Sequence, residues 1–139
     1  MAEKEVYVNT RYEPIQVENI ILEGNVKESI IEKDEIYLTI DPYENLTGRT
    51  TIAMLEIDKF IDNRYFFNKP VKSAFIKEYG DWTVKNCEDV NETTSVIWLK
   101  LGEDTKIYEE DGCVILQGET EEDLIMLADG LVFKILEIT

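Results

Sequence analysis

The sequence predicts a mainly β or α+β fold: an antiparallel curled sheet, a sandwich or a partly closed barrel, with one C-terminal helix. Short runs of alternating or β-branched apolar residues recur along the chain, and Gly, Asn and Asp turn signals separate them. Only the segment 121–129 has a clear helix pattern. With 139 residues, of which 44% are hydrophobic, we expect a single domain over 1–139.

Strands account for most of the predicted elements. Each is a short run in which β-branched and aromatic residues alternate with polar ones, or a continuous apolar run. Hairpins are predicted across Lys33-Asp34, across Gly80-Asp81 and, with the strongest turn signal, across Asp111-Gly112. The predicted strands are 6–8, 15–22, 26–32, 35–40, 71–79, 82–87, 93–101, 106–109, 113–117 and 131–138.

Helix signals occur in two segments. The segment 50–61 is ambiguous, because it starts with threonines but its apolar residues recur near a helical period. We expect a strand that passes into a short helical turn at 58–62. The segment 121–129 is more definite: Thr120 is a good N-cap, three acidic residues fill the first turn, and Gly130 is a natural stop.

The composition removes much catalytic chemistry. Histidine is absent, which excludes Ser-His-Asp and Cys-His catalysis within the chain and most zinc and iron sites. No glycine-rich phosphate loop occurs. We therefore predict a protein that is not an enzyme and needs no cofactor and no metal.

The two cysteines, Cys87 and Cys113, are too few for a disulfide framework. We expect both thiols to be free and at least partly buried. The alternative is a single disulfide between them, which requires that their strands are neighbours. The N-terminus lacks the pattern of a secretory signal, and no apolar run approaches the length that spans a bilayer. These features predict a cytoplasmic protein.

The net charge of −16 directs the functional interpretation. Such a surface repels phosphate, so we expect no direct binding of nucleic acid or of anionic membranes. The leading hypothesis is a small non-catalytic binding protein that occupies a basic partner protein. Proteins of the inhibitor, immunity or phage anti-defence type act in this way, and one form of the hypothesis is a nucleic-acid mimic. A merely solvated acidic face is the alternative. The predicted partner-binding residues, expected on one side of the molecule, are Glu109, Glu110, Asp111, Glu121, Glu122 and Asp123.

A second hypothesis rests on the segment 59–85, where basic residues are interleaved with aromatic ones and outnumber acidic ones. This pattern suits an anionic planar ligand, held by stacking and charge, unless the rings belong to the core and the lysines solvate the outer face. The predicted ligand-binding residues are Arg64, Lys69, Lys72, Lys77, Tyr65, Tyr79 and Trp82.

Two further alternatives stay open. A curled sheet with Tyr37, Trp82 and Trp98 turned inward would enclose a small-ligand cavity, although such rings more often fill the core. The chain would alternatively be a structural subunit of a homo-oligomer whose copies join through their sheet edges.

Overall fold

A computed structural model describes residues 20–63 and 67–136, so the predicted strand 6–8 and most of 15–22 lie outside the described residues. The chain has an α+β fold with a curled, mixed six-stranded sheet and a C-terminal helix. The strands are β1 (Ile21–Glu23), β2 (Glu35–Ile40), β3 (Val71–Phe75), β4 (Thr94–Leu101), β5 (Lys106–Glu110) and β6 (Cys113–Gly118). The helices are α1 (Glu28–Ile31), α2 (Gly48–Ile61) and α3 (Glu121–Leu136), with a 3-10 turn at Cys87–Asp89.

The strands follow the order β1-β5-β6-β4-β2-β3 across the sheet. Only β5 and β6 pair antiparallel, and every other neighbouring pair is parallel. The predicted α+β fold with a curled sheet and a C-terminal helix is confirmed, but the antiparallel pairing expected for the sheet is wrong except between β5 and β6. Parallel neighbours need long crossover connections, and α2 supplies the crossover from β2 to β3. The sequence-based prediction placed a strand in much of this helix, so it did not reveal a helical crossover or the parallel pairing that such a crossover permits.

Helix α2 includes the whole ambiguous segment 50–61, so the strand expected there is wrong and 58–62 is only the end of a longer helix. Thr47 caps this helix, because its Oγ1 accepts a hydrogen bond from the amide of Arg49 at 3.2 Å. Ala53, Ile57 and Ile61 are buried against the main core. Packing of this face stabilises the helix despite its threonine-rich start.

Helix α3 starts as predicted but runs further. The amide of Asp123 donates to Thr120 Oγ1 at 3.2 Å, which confirms the predicted cap. The helix then continues through Gly130 to Leu136, so the strand expected over 131–138 is wrong at 131–136. A glycine inside a helix costs about 1 kcal/mol, and the burial of Leu131 and Ile135 offsets that cost.

Two of the three predicted hairpins are also wrong. Residues 28–31 form α1 instead of part of a strand, so no hairpin crosses Lys33-Asp34. After β3 the chain returns with a single parallel bridge between Phe75 and Val84 rather than as an antiparallel partner. The hairpin at Asp111-Gly112 is confirmed, since Glu110 pairs directly with Cys113. Its two-residue turn fixes the register locally, whereas the other two segments depend on long-range packing.

The sheet has two unlike faces. Its first face carries the large apolar core under the helices, including Leu38, Ile97 and Leu116. The second face carries a smaller cluster around Val96, Cys113 and Ile115. None of the helices in the described residues is long and apolar enough to cross a membrane.

A disulfide joins Cys87 to Cys113, with the two Cα atoms 5.2 Å apart. The expectation of two free thiols is therefore wrong, and the alternative that the sequence left open holds. The cysteines meet because the segment after β3 crosses back over the second face of the sheet, a placement that is absent from their local sequence. The bridge fixes this segment to the first residue of β6.

Candidate functional site

The six predicted partner-binding residues do not form one surface. Glu109, Glu110 and Asp111 lie just before β6, and the triplet 121–123 lies just after it. The six residues of β6 span about 17 Å. The two acidic groups therefore occupy opposite ends of the sheet, contrary to the expectation that they share one side.

In the hairpin group, only two residues face solvent freely. Glu109 belongs to the fold, because its Oε2 accepts from the amide of Gly112 at 2.7 Å and its Oε1 from the amide of Asn25 at 3.3 Å. Glu110 and Asp111 are exposed, and no hydrogen bond or ion pair joins their side chains to another described residue.

In the helix group, Glu121 caps the neighbouring helix α2. Its Oε1 accepts from Thr50 Oγ1 and from the amide of Thr47, both at 2.7 Å, and its Oε2 accepts from Thr47 Oγ1 at 2.9 Å. Burial alone would raise the pKa of Glu121, but these hydrogen bonds outweigh it and hold the pKa below its ordinary value. The first turn of α2 has no acidic residue of its own. This absence was the one feature of the sequence that could have indicated a capping carboxylate from another element.

The next two acids also make contacts within the fold. Glu122 forms an ion pair with Arg49 of α2. Asp123 Oδ2 accepts from Thr105 Oγ1 at 3.3 Å. Together with Glu121, these side chains hold the start of α3 against α2 and against the β4–β5 connection, so they are less available to a partner than the sequence suggested.

Unpaired carboxylates gather instead in two connections at the same end of the sheet. Glu103 and Asp104 lie between β4 and β5, and Glu119 lies between β6 and α3. The connections touch, since the amide of Glu119 donates to Thr105 Oγ1 at 3.3 Å. Glu103, Asp104 and Glu119 are exposed and make no ion pair with a described residue. We call these three residues the acidic rim.

A groove of about 480 Å³ separates the acidic rim from the edge strand β1. Asp104 and Glu119 line one wall, and Glu23 lines the other. The only basic residue in its lining, Lys106, is bound to Glu23 with an Nζ–Oε1 distance of 3.2 Å. The groove is therefore negatively charged in the described structure. None of the three rim residues is among the six partner-binding residues predicted from the sequence.

The residues of the predicted basic–aromatic site are divided between different parts of the fold. Arg64 and Tyr65 lie outside the described residues. Lys69 donates to the carbonyl oxygen of Lys33, and Lys77 pairs with Asp41 at 3.1 Å. These two lysines thus have partners within the chain.

The two described aromatic members of that predicted site lie in one exposed cluster. Tyr79 and Trp82 both pack edge-on against Phe75, with ring centroids 5.4 and 5.8 Å from it. Trp82 is 67% exposed, so it does not point into a cavity with Tyr37 and Trp98, and the small-ligand cavity considered from the sequence is not formed by these three rings.

Lysines and aromatic rings do meet on the second face of the sheet. Lys72 and Lys85 lie 5.8 and 5.0 Å from the centroid of the Tyr37 ring. Further along, Lys100 lies 4.5 Å from the Trp98 ring and Lys106 lies 4.9 Å from the Tyr108 ring. We call this set the lysine–aromatic face; its residues are Tyr37, Lys72, Lys85, Trp98, Lys100, Lys106 and Tyr108.

The strand register arranges part of this face in rows. Trp98 pairs with Ile115, which pairs with Tyr108, so the two rings flank the isoleucine about 10 Å apart. Lys100 and Lys106 flank Gln117 in the next row. Sequence reasoning missed these pairs, although each lysine stands two positions from its ring, the spacing of side chains on one face of a strand.

Among residues 20–63 and 67–136, no group of three or more acidic or cysteine side chains has an arrangement that would hold a metal ion. Comparison of the chain with protein-family models, with curated proteins and with solved structures found no match. The function therefore has to be inferred from the geometry of the acidic rim, its groove and the lysine–aromatic face.

Proposed function

We propose that the protein is a non-catalytic binding protein whose acidic rim and groove take basic side chains of a partner protein. One observation carries the proposal: exposed carboxylates from two connections line a groove whose single cation is already paired. Lysine and arginine side chains are long enough to enter such a groove and would find acceptors on both walls.

The charge of the whole chain supports the same partner class. A net charge of −16 attracts a basic protein before contact and raises the association rate. At physiological salt this attraction is screened over about 8 Å. We therefore expect binding to weaken as salt rises, chiefly through slower association.

A matched pair of charge reversals tests the proposal and the site predicted from sequence together. One variant carries Asp104→Lys and Glu119→Lys in the groove, and the other carries Glu110→Lys and Asp111→Lys at the opposite end of β6. Both change the net charge equally. Titration with a lysine-rich peptide, monitored by calorimetry at low and high salt, should show a larger affinity loss for the groove variant. Equal losses would mean that only the net charge matters, and a larger loss for the hairpin variant would return the site to Glu110 and Asp111.

The lysine–aromatic face supports a second candidate function, the binding of a small anionic planar ligand. The rings of Trp98 and Tyr108 offer stacking surfaces, and Lys85 and Lys100 make no ion pair with a described carboxylate. An adenosine monophosphate titration followed by tryptophan fluorescence tests this function. A Lys100→Gln variant should bind more weakly, and an unchanged signal in both proteins would remove this candidate.

The cellular location of the protein also needs a test. The predicted cytoplasmic location rested partly on free thiols, and the Cys87–Cys113 bridge removes that support. Disulfides persist mainly in oxidising compartments. Fractionation of the native cells, with detection of the protein in the cytoplasmic and the secreted or periplasmic fractions, would decide the location.

A further inference from the structure

Strand β3 forms one edge of the sheet, and its backbone groups alternate in direction. The amide of Ile36 donates to the carbonyl of Pro70 at 3.0 Å, and the amide of Ile76 donates to the carbonyl of Ile40 at 2.8 Å. Since backbone groups alternate along a strand, even-numbered residues of this segment bond to β2. Odd-numbered residues present their N–H and C=O groups to the outer edge.

The outward backbone groups of Phe75 are hydrogen-bonded, whereas those of Ser73, the preceding outward residue, are not bonded to the backbone of any described residue. At Phe75 the amide donates to the carbonyl of Thr83, and its carbonyl accepts from the amide of Lys85, both at 2.9 Å. At Ser73 no backbone group of a described residue supplies the corresponding bonds. Residues 83–85 thus extend the sheet beside Phe75 but leave the edge at Ser73 open for another strand.

An apolar cleft of about 290 Å³ lies beside this open edge, between β3 and α2. Leu55 and Trp82 are 57% and 67% exposed on its walls, and Asp58 is its one charged lining residue. The volume falls just below the range of about 300–1,000 Å³ for small-molecule pockets, but it accommodates one large side chain. Most of its lining residues are apolar, and they include Leu38, Ile40, Met54, Leu55, Phe75 and Trp82.

We propose that the open edge at Ser73 and this cleft bind an extended basic segment of a partner protein. The segment adds to β3 as a further strand and places one large apolar side chain in the cleft, while a neighbouring lysine or arginine pairs with Asp58. Main-chain hydrogen bonds then give affinity, and the cleft gives specificity, as in other cases of strand addition. The inference goes beyond the proposed function, because it needs neither the acidic rim nor its groove.

Charge decides between a basic segment and the other obvious occupant, a second copy of this chain. Two copies meeting at β3 would each bring a net charge of −16, and that repulsion opposes pairing. Burial raises the pKa of Asp58, and the negative charge of nearby Asp62 raises it further. A cation brought by the guest would relieve both effects, whereas an acidic or neutral guest would not.

Two substitutions at Ser73 separate the backbone from the side chain. Ser73→Pro removes the outward N–H and places a ring at the edge, where proline is tolerated because no ladder bond is lost. Ser73→Ala is the matched control, since it keeps the N–H and removes only the hydroxyl. Leu55→Gln on the exposed wall is a second test of the cleft. It leaves the strand untouched and adds polarity without a negative charge that would itself attract the lysines of the guest.

The probe is a fluorescein-labelled synthetic peptide in which lysine alternates with valine around one central phenylalanine, and fluorescence anisotropy measures its affinity. The wild-type protein and Ser73→Ala should bind alike, while Ser73→Pro and Leu55→Gln should each bind about tenfold more weakly or worse. A counterpart peptide with glutamate in place of lysine should not compete, and Asp58→Asn should reduce that preference. Repeating the comparison in the Asp104→Lys, Glu119→Lys background removes the acidic groove as a second binder of the lysine probe. The same losses from Ser73→Pro and Leu55→Gln in that background distinguish this site from the groove.

Three results would overturn the proposal. They are an absence of binding by the wild-type protein, equal binding by Ser73→Pro and Ser73→Ala, or equal affinity for the lysine and glutamate peptides. Sedimentation of the protein alone provides the remaining check. A dimer that Ser73→Pro dissociates would assign this edge to a second copy instead of a basic peptide.

Discussion

The carboxylate of Glu121, at the start of helix α3, accepts a hydrogen bond of 2.7 Å from the hydroxyl of Thr50 in helix α2. Through this bond and those from Thr47, the first turn of one helix caps the first turn of the other. Negative charge is favourable at a helix N-terminus, and α2 has none of its own there. The two helices are thus joined by a contact that is both a cap and a tertiary interaction.

Replacing Glu121 should therefore destabilise the fold more than replacing an exposed glutamate. We expect Glu121→Ala to lower the free energy of unfolding by about 1–2 kcal/mol, the usual loss for a helix cap. Urea denaturation followed by circular dichroism measures the change. Glu119→Ala, two positions earlier in the connection between β6 and α3, is the control and should change stability by about 0.5 kcal/mol or less.

The same contact should make stability depend on pH. The folded-state pKa of Glu121 lies below its ordinary value, because hydrogen bonds from Thr50 and Thr47 outweigh the effect of burial. A group of this kind contributes its full stabilisation above its unfolded pKa, near 4.5, and loses it as pH falls through the folded pKa. The stability difference between wild type and Glu121→Gln should be largest at neutral pH and shrink in acid. A difference that stays constant down to the lowest pH at which both proteins fold would contradict this linkage.

The sequence predicted elements whose determinants are local and missed those that depend on distant contacts. Strands β2 and β4 and the hairpin at Asp111-Gly112 have their own β-branched residues or turn, and all three were recovered. Helix α2 starts with residues that favour strands, and the end of α3 follows a glycine; both are helical because their apolar faces pack on the sheet. The expectation of a strand in part of α2 also concealed the crossover from β2 to β3 and, with it, the parallel pairing of these two strands.

The candidate site shows the same limit. The acidic residues near the C-terminus suggested six candidate contacts for a basic partner, yet the sequence could not say which carboxylates the fold would use. Glu121 and Asp123 stand beside Glu119 in the chain but bind threonines, whereas Glu119 meets Asp104 only because β5 and β6 are paired. Grouping of this kind is set by strand register, not by spacing in the sequence.

Glu109 and Glu110, adjacent on β5, should respond differently to substitution. Glu109→Ala removes the acceptor for the amides of Gly112 and Asn25, and we expect a loss of about 1–2 kcal/mol in the free energy of unfolding. Glu110→Ala removes an exposed side chain and should change stability by about 0.5 kcal/mol or less. The midpoints of thermal denaturation of the two variants, measured side by side, give the comparison. Equal midpoints would show that the Glu109 contacts do not stabilise the hairpin.

The β5–β6 turn should tolerate little change at its glycine. Asp111 and Gly112 both have positive φ, at 52° and 85°, as a two-residue hairpin turn requires. A Cβ at residue 112 would also lie 2.9 Å from Val90 Cγ1. Gly112→Ala should therefore cost about 1–2 kcal/mol of unfolding free energy, while Asp111→Asn, a residue suited to this conformation, should be nearly neutral. Calorimetric melting of the two variants tests the contrast, and an unchanged melting temperature for Gly112→Ala would contradict it.

The Cys87–Cys113 disulfide should be a major source of stability. The bridge spans 26 positions of the chain, and closing a loop of that length in the unfolded state stabilises the fold by about 3 kcal/mol. It also fixes the 3-10 turn over the second face of the sheet, beside Val96 and Ile115. Reduction should therefore lower the midpoint of urea unfolding and expose apolar surface to a dye such as anilinonaphthalene sulfonate. A Cys87→Ala, Cys113→Ala variant should match the reduced protein and ignore the reductant, which separates loss of the bridge from other effects of reduction. The intact mass of the unreduced protein, lower by two hydrogens than that of the reduced protein, reports the bridge directly, and identical masses would show that the thiols are free.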